Sequence, residues 1–154
     1  MIASTEQTAP AEIRPATPGD LPRVEQLLTQ NDLPLDGIPA SLDGFVVAEA
    51  NGELVGVAGI ETCCDDALLR SVAVRPEWRS HGIGRALVTQ AILNSESRGM
   101  RALYLLTTTA ERYFPSFGFK RIDRAEVPQA VRETQEFAKA CPETATVMAR
   151  SLRD

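Results

Sequence analysis

Near the start of the chain, the pattern of hydrophobic residues predicts one strand followed by one helix. Glu12–Ala16 is predicted to be a short strand. From Pro18 to about Asn31, leucines and a valine recur at helical spacing, which predicts a helix that buries one face. Thr17 is suited to cap this helix, and a proline is well tolerated in its first turn.

The next stretch predicts a loop followed by three consecutive strands. Leu33–Leu42 contains two prolines and a glycine, so we expect a loop with room for a short helix. The strands are predicted over Phe45–Ala50, Leu54–Glu61 and Ala67–Val74. Asn51-Gly52 between the first two is a strong signal for a type I′ hairpin turn. The three strands should therefore form an antiparallel meander.

Helices and strands then alternate to the end of the chain. Gly82–Gly99 predicts a helix with Gly99 at its C-terminal cap, and Ala102–Leu106 predicts a strand buried on both faces. The remaining elements are a short helix, a strand, a helix and a last strand, over Thr109–Phe117, Phe119–Ile122, Val127–Ala140 and Thr144–Arg150. This order predicts an α/β fold with helices flanking a mixed, mostly antiparallel sheet of about seven strands. We expect one domain over residues 12–154, preceded by a flexible polar tail over residues 1–11.

Composition narrows the class of protein. The 154 residues are 44% hydrophobic and 24% charged, which is typical of a globular domain, and the net charge of −5 gives no indication of nucleic-acid or membrane binding. No apolar run is long enough to span a bilayer, and the first ten residues lack the features of a signal peptide. Cys63, Cys64 and Cys141 have neither disulfide-framework nor zinc spacing. We therefore expect a cytoplasmic protein without a metal.

The segment between the third strand and the Gly82–Gly99 helix indicates an anion site. Gly82 and Gly84 allow the backbone to approach a ligand closely, and the first amides of a helix have no internal partner. Together with the helix dipole they suit a pyrophosphate, and Arg79 and Arg85 add charged donors. The alternative is that the glycines only permit a sharp turn. The third glycine of a dinucleotide fingerprint and the Gly-Lys-Ser/Thr of a Walker loop are both missing.

At these residues the sequence resembles the Gcn5-related (GNAT) N-acetyltransferases. Their motif Arg/Gln-x-x-Gly-x-Gly/Ala is matched by Arg79, Gly82 and Gly84. Two further motifs, Val-x-Val-x-Pro and aromatic-x-x-x-Gly-Phe, are matched within Val72–Pro76 and Phe114–Phe119. The resemblance covers nearly the whole chain.

The resemblance implies acetyl-CoA as co-substrate. The backbone of Val72–Val74 would pair with the pantetheine arm, and the amides between Arg79 and Arg85 would hold the pyrophosphate. The strand Leu103–Leu106 would splay from its neighbour to admit the thioester. The cofactor-binding residues that it implies are Val72, Ala73, Val74, Arg79, Ser80, His81, Gly82, Ile83, Gly84 and Arg85. Members of the family often dimerise, so a homodimer is one of the expected oligomeric states.

A narrower resemblance concerns the amine that accepts the acetyl group. Tyr104–Phe114 is similar to the acetyltransferase domain of N-acetylglutamate synthases. The chain is similar to the small arsenic-resistance N-acetyltransferases in Leu33–Gly37, in Asp66–Val74, and in Thr134–Phe137 with Cys141-Pro142. Some enzymes of that type acetylate arsinothricin, an arsenic-bearing glutamate analogue. The resemblance therefore implies a small, glutamate-like amino acid as acceptor and a role in arsenic resistance.

An acidic acceptor needs cationic or hydroxyl donors. Arg70, with Ser71 beside it, is predicted to share a strand face with Val72 and Val74. Thr107 and Thr108 follow the buried strand, where the splay is expected. The alternatives are a surface ion pair for Arg70 and, for the threonines at positions 107 to 109, β-propensity together with helix capping by Thr109.

The sequence does not decide which residues would transfer protons in the reaction. Glu49, Glu61 and Asp66 are candidates for the general base, as is Arg70 for a catalytic role, and a solvated strand charge is the alternative for each carboxylate. Phe114 occupies the position where many family members have the tyrosine that protonates the thiolate. Tyr113, one residue earlier, is expected to point elsewhere on a helix.

For three further residues, a role in catalysis or in arsenical binding is not expected. His81 is expected to be a loop residue near CoA rather than a catalyst. Cys63 and Cys64 would point to opposite faces of a strand, which argues against chelation of an arsenical by the pair.

Two other functions fit the same motifs. One is acetylation of a peptide or protein N-terminus, which would need an open cleft with few cations. The other is an acetyl-CoA-binding sensor or regulatory subunit without turnover, because a fold alone does not establish chemistry.

Overall fold

The computed structural model describes residues 11–140 and 144–152. All but the last residue of the predicted N-terminal tail, and the Cys141-Pro142 pair, lie outside these ranges. Within them, no helix has the length and apolar character needed to cross a membrane.

The core of the protein is one seven-stranded sheet with the order β1-β2-β3-β4-β5-β7-β6. The strands are β1 (Glu12–Pro15), β2 (Phe45–Ala50), β3 (Glu53–Cys63), β4 (Asp66–Val74), β5 (Ala102–Thr107), β6 (Lys120–Ile122) and β7 (Thr146–Ser151). Every neighbouring pair is antiparallel except β4 and β5, which run parallel. The predicted mixed, mostly antiparallel sheet is confirmed.

Helices cover both faces of the sheet. They are α1 (Leu21–Gln30), α2 (Ile83–Ser97) and α3 (Gln129–Arg132). Val24 and Leu28 of α1 pack with Val47 and Val57, whereas α2 packs on the other face against residues such as Leu103. The remaining helical turns are 3-10 turns over Pro18–Asp20, Pro76–Trp78, Phe114–Phe117 and Arg124–Glu126, and a π-helical turn over Glu136–Ala140.

The β2–β3 hairpin confirms the turn that the sequence indicates. Asn51 and Gly52 have φ values of 54° and 79°, as a type I′ turn requires at both central positions. The loop between α1 and β2 contains turns but no helix in residues 33–42.

An extra residue in β4 contradicts the predicted alternation of that strand. Val57 of β3 pairs with Ala73, but Gly59 pairs with Arg70, so Ser71 and Val72 together oppose a single residue. Ser71 adopts a φ of 59° at this β-bulge. Val72 consequently packs on the α2 face, and Arg70 lies on the opposite face with Ala73. The prediction that Arg70 shares a face with Val72 and Val74 is wrong, because a bulge inverts the alternation.

Two predicted helices are much shorter in the structure. Only Phe114–Phe117 of the Thr109–Phe117 segment is helical, as a 3-10 turn. The Thr107 hydroxyl oxygen accepts a hydrogen bond from the Ala110 amide at 2.9 Å, which holds the preceding residues in a turn. Pro115 lacks the amide that a longer helix would use.

The predicted Val127–Ala140 helix is broken into α3 and the π-helical turn. Thr134 lies between them, where its hydroxyl donates to the Val131 carbonyl at 2.8 Å and accepts from the Phe137 amide at 3.2 Å. These side-chain bonds replace part of the helical ladder.

Strand β5 is fully buried on one face only. Leu103 and Leu105 are buried, whereas Tyr104 and Leu106 on the other face are half-buried. The expectation of burial on both faces is therefore wrong, because the short α3 segment covers the second face incompletely.

We expect Gly44→Ala to destabilise the fold far more than Gly52→Ala. Both glycines have positive φ, 84° and 79°, so both variants lose about 1 kcal/mol to backbone strain. A Cβ atom at Gly44 would lie 2.5 Å from the Ile60 carbonyl oxygen, whereas one at Gly52 would meet nothing within 4 Å. Urea unfolding should show a further loss of about 2–3 kcal/mol for Gly44→Ala. Equal losses in the two variants would contradict the close approach of Gly44 to β3.

Candidate active site

A cleft opens where the two parallel strands separate. β4 and β5 pair only through Ala67 with Leu103 and Leu68 with Tyr104. Beyond these pairs, Leu69–Val74 and Leu105–Thr107 line opposite sides of a cavity of about 530 Å³. The predicted splay is confirmed, and it exposes backbone amides and carbonyls of β4 that have no partner strand on that side.

The N-terminus of α2 closes one end of the cleft. Gly82 is its N-cap residue with a φ of 80°, a conformation that glycine adopts without strain. A Cβ atom at Gly82 would meet nothing within 4 Å, so the backbone is open to a ligand. The first amides of this 15-residue helix lack intrahelical acceptors. This end of the cleft is therefore suited to a phosphate group.

Two exposed arginines flank the helix terminus. The Arg79 Nη2 atom donates to Asn31 Oδ1 at 2.7 Å, and its Nε atom donates to the Val74 carbonyl at 3.3 Å. The Arg85 Nη2 atom donates to the Ser116 hydroxyl at 3.1 Å, and its guanidinium lies 4.6 Å from the centre of the Phe117 ring. Both arginines line the cleft, where they can add charge to an anion site.

Eight of the ten residues predicted to bind the cofactor line the cleft. The two others are His81 and Ile83. The Ile83 side chain is buried against β3. The His81 Nδ1 atom lies 2.9 Å from the Arg79 carbonyl oxygen, within the turn. The cofactor-binding roles of all ten remain predictions.

A buried ion pair forms the opposite end of the cleft. The Arg70 side chain is fully buried, and it lines the cavity. Its Nε atom donates to the Ser71 hydroxyl at 3.0 Å, and its Nη1 atom donates to Glu61 Oε1 at 3.1 Å. Glu136 Oε1 lies 3.5 Å from the same Nε atom. Arg70 is thus in an ion pair, although a buried one and not the surface pair that was the alternative.

Glu136 is a candidate functional residue that the sequence did not reveal. Its side chain is 6% exposed and lines the cleft. Burial raises the pKa of its carboxyl group to about 7, and Glu61 adds to this shift whereas Arg70 opposes it. The sequence offered only a similarity over Thr134–Phe137, because its contact with Arg70 joins residues far apart in the chain.

The other carboxylates that were candidate bases lie outside the cleft lining. Glu49 is held by Arg14 Nε at 3.0 Å, and Asp66 by Arg101 Nη2 at 2.9 Å. Glu61 contacts Arg70 Nη1 at 3.1 Å but does not line the cavity. Among the described residues, Glu136 is therefore the only carboxylate that lines the cleft.

Tyr113 reaches the cleft, contrary to expectation. It lies in a turn and not on a regular helix, and a Cβ atom on Gly84 would be 3.2 Å from its hydroxyl oxygen. Phe114 is buried and packs edge-on against Tyr113, with ring centres 5.2 Å apart. The tyrosine hydroxyl thus faces the N-terminal turn of α2, where a bound anion would lie.

The three threonines at the C-terminal end of β5 divide into two groups. Thr107 and Thr109 line the cleft, and Thr108 does not. Because the Thr107 oxygen accepts the Ala110 amide, this residue also acts as the cap of the following turn. The substrate-binding roles of Thr107 and Thr108 stay predictions.

Cys63 and Cys64 are not part of the cleft lining. Cys63 ends β3 and is buried, which raises the pKa of its thiol to about 11, and Cys64 is exposed in the turn that follows. In the part of the chain that the structure describes, no group of three or more His, Cys, Asp or Glu residues could hold a metal ion.

Comparison with known proteins gives consistent matches. The model of the acetyltransferase (GNAT) domain matches residues 41–121. An N-acetyltransferase of Chlorobaculum tepidum is 31% identical over 123 residues, which are 73% of this chain and 75% of that protein. An amino-acid acetyltransferase of Aeromonas salmonicida is 28% identical over 89 residues, 56% of this chain. The chain spans only 20% of that protein's length.

Solved structures share the fold. N-acetylglutamate synthase from Neisseria gonorrhoeae, complexed with coenzyme A and N-acetyl-glutamate, superimposes with a TM-score of 0.79 at 24% identity, covering 95% of this chain and 36% of that one. A GNAT-family acetyltransferase from Staphylococcus aureus gives a TM-score of 0.75 at 17% identity over 94% of this chain and 100% of that one. With the matched domain model and the splayed cleft at the α2 terminus, these findings establish that the chain belongs to the GNAT family of acetyltransferases.

Proposed function

We propose that this protein transfers the acetyl group of acetyl-CoA to the α-amine of a small, glutamate-like amino acid. The general activity follows from family membership: the chain is an acetyl-CoA-dependent N-acetyltransferase of the GNAT type. The acceptor is the part that we add, and arsinothricin, with a role in arsenic resistance, is the narrowest form of it.

The separation of β4 from β5 beside the α2 terminus is the observation that carries the proposal. An extended pantetheine arm can take the place of a strand partner along Val72–Val74, because those backbone groups face an open cleft. The pyrophosphate would then lie at Gly82–Gly84, between Arg79 and Arg85. This arrangement directs the thioester toward the Arg70 end of the cavity.

Two observations support an amino acid as acceptor. The Aeromonas relative is named an amino-acid acetyltransferase, and the Neisseria enzyme was solved with N-acetyl-glutamate. The Arg70 end of the cleft also offers polar groups for a small acceptor, since Ser71 and Thr107 line it from opposite strands. A carboxylate can bind there through these two hydroxyl groups.

An acceptor panel tests the substrate class. Release of thiol from acetyl-CoA is measured with arsinothricin, phosphinothricin, glutamate, aspartate, a polyamine and an N-terminal peptide. We expect turnover with the glutamate-like acceptors and little with the polyamine or the peptide. Turnover confined to the peptide would replace the proposal with N-terminal acetylation. Tight acetyl-CoA binding without turnover of any acceptor would favour a sensor.

Gly82→Trp should abolish acetyl-CoA binding in a folded protein. The indole would occupy the space through which the α2 amides reach the pyrophosphate, so we expect the Kd measured by calorimetry to rise about 100-fold or more. Gly52→Trp is the matched control, because Gly52 has nearly the same φ and equally open surroundings but lies in the β2–β3 turn. If both variants bind acetyl-CoA equally, the pyrophosphate site is elsewhere.

Tyr113→Phe should weaken acetyl-CoA binding by the loss of one hydrogen bond. We expect the KM for acetyl-CoA to rise about three- to tenfold, and the acceptor KM to stay unchanged. Tyr104→Phe is the control, since that tyrosine is half-buried in β5 and does not line the cleft. A rise in the acceptor KM alone would place the Tyr113 hydroxyl on the acceptor side.

A further inference from the structure

We propose that the carboxylate of Glu136 is the general base that takes a proton from the acceptor's ammonium group, an inference that rests on the acetyltransferase function proposed above. Amines of amino acids are largely protonated near neutral pH, and an ammonium nitrogen has no lone pair to attack a thioester. A base at the acceptor end of the cleft is therefore required.

The position of Glu136 is the first support. Among the described residues it is the only carboxylate that lines the cavity. Its Oε1 atom lies 3.5 Å from Arg70 Nε, and that same nitrogen donates to the Ser71 hydroxyl at 3.0 Å. Ser71 is the bulge residue of β4, directly before the backbone segment Val72–Val74 that faces the open edge. The Glu136 carboxylate is therefore separated from the open edge of β4 only by the guanidinium group of Arg70.

The segment that carries Glu136 is held in place. The Phe137 ring is buried with Leu68 and Val131, and the Phe137 amide donates to the Thr134 hydroxyl. Because Thr134 and Phe137 are buried and the carboxylate contacts Arg70, Glu136 is oriented before an acceptor binds. Such preorganisation is what an efficient base requires.

The charge balance also suits a proton acceptor. The charged groups that face Glu136, among the side chains that the structure describes, are Arg70 on β4 and Glu61 on β3. One arginine therefore serves two carboxylates. Burial and Glu61 raise the pKa of Glu136 to about 7, while Arg70 keeps it from rising further. At neutral pH a large share of the carboxylate is ionised and can accept a proton.

The reaction is balanced as follows. Glu136 takes one proton from the ammonium group, and the neutral amine attacks the thioester carbonyl carbon to form the C–N bond. The tetrahedral intermediate collapses with cleavage of the C–S bond, and the electron pair leaves on sulfur. The second nitrogen proton passes to the thiolate, which gives free CoA and the amide. Glu136 then returns its proton to solvent.

Rate measurements against pH test the proposal, using any acceptor that the panel shows to be turned over. For the wild type, kcat/KM for the acceptor should rise through about pH 7, because Glu136 accepts a proton only when ionised. Glu136→Gln should lower kcat/KM at pH 7 about 100-fold or more and abolish this step, the rise of kcat/KM near pH 7. The kcat/KM of the variant should then grow in proportion to the fraction of neutral amine, so the difference from the wild type shrinks at high pH.

Glu61→Gln is the matched comparison, because it removes the other carboxylate that contacts Arg70. Since Glu61 raises the pKa of Glu136, its loss should move the step to lower pH and leave it present. Glu136→Asp should retain the step at a reduced rate. Thermal melts at pH 8 control for folding, and Glu136→Gln should stay folded, because Arg70 keeps Glu61 as an anionic partner.

The proposal is overturned if folded Glu136→Gln keeps kcat/KM within about threefold of the wild type at pH 7, or if the step persists in it. In that case turnover of an acceptor still leaves the acetyltransferase function intact. Absence of turnover by the wild type with every acceptor would instead overturn the proposed function, and the base with it.

Discussion

The cleft depends on the way in which β4 parts from its parallel neighbour. Only two residue pairs join β4 to β5, so the sheet is continuous at one end and open at the other. Seven strands in a row would normally satisfy their own backbone groups. Here the polar groups along Leu69–Val74 face a cavity, and a ligand with an extended amide-containing arm can satisfy them. The unpaired backbone groups of β4 therefore make this cleft suited to an extended ligand.

The bulge at Ser71 distributes side chains around that edge. Before it, Leu69 packs under α2, and after it Val72 does the same, although the two are three residues apart. Arg70 is turned to the other face, where the Glu136 turn and the loop at Pro34 enclose it. A buried arginine is tolerated only with anionic partners, and the bulge places it where two are available. The same local irregularity therefore shapes both the open edge of β4 and the buried ion pair of Arg70 with Glu61 and Glu136.

Hydrophobic packing fixes the N-terminus of α2 relative to the open edge of β4. Ile83 and Leu87 of α2 pack against Gly56, where a Cβ atom would lie 2.8 Å from Leu87. This close approach brings the helix terminus down to the sheet. Phe114, Phe117 and Phe119 form the apolar floor beneath Tyr113 and Arg85. The polar groups that would bind the cofactor are thus carried by rigid elements.

Much of the fold could be predicted from the sequence because local rules decide it. The Asn51-Gly52 turn sets the hairpin, the meander follows from alternation, and Gly82 with Gly84 marks the helix terminus that faces the cleft. Two threonine hydroxyl groups defeated the helix predictions. Thr107, at the end of β5, accepts the Ala110 amide inside one predicted helix, and Thr134 replaces helical hydrogen bonds inside the other. Nothing local distinguishes Thr134 from an ordinary helix residue.

What only the tertiary structure decided is the Arg70 end of the cleft. The orientation of Arg70 depends on one extra residue in β4, which no periodicity of the sequence displays. The approach of Glu136 to Arg70, and the burial that raises its pKa to about 7, depend on a turn that packs across the sheet from distant parts of the chain. The sequence by itself determined the fold and the α2 terminus at the cleft, because short-range backbone chemistry encodes both. The buried ion pair of Arg70 required the fold, because desolvation and ion pairing exist only once distant segments meet.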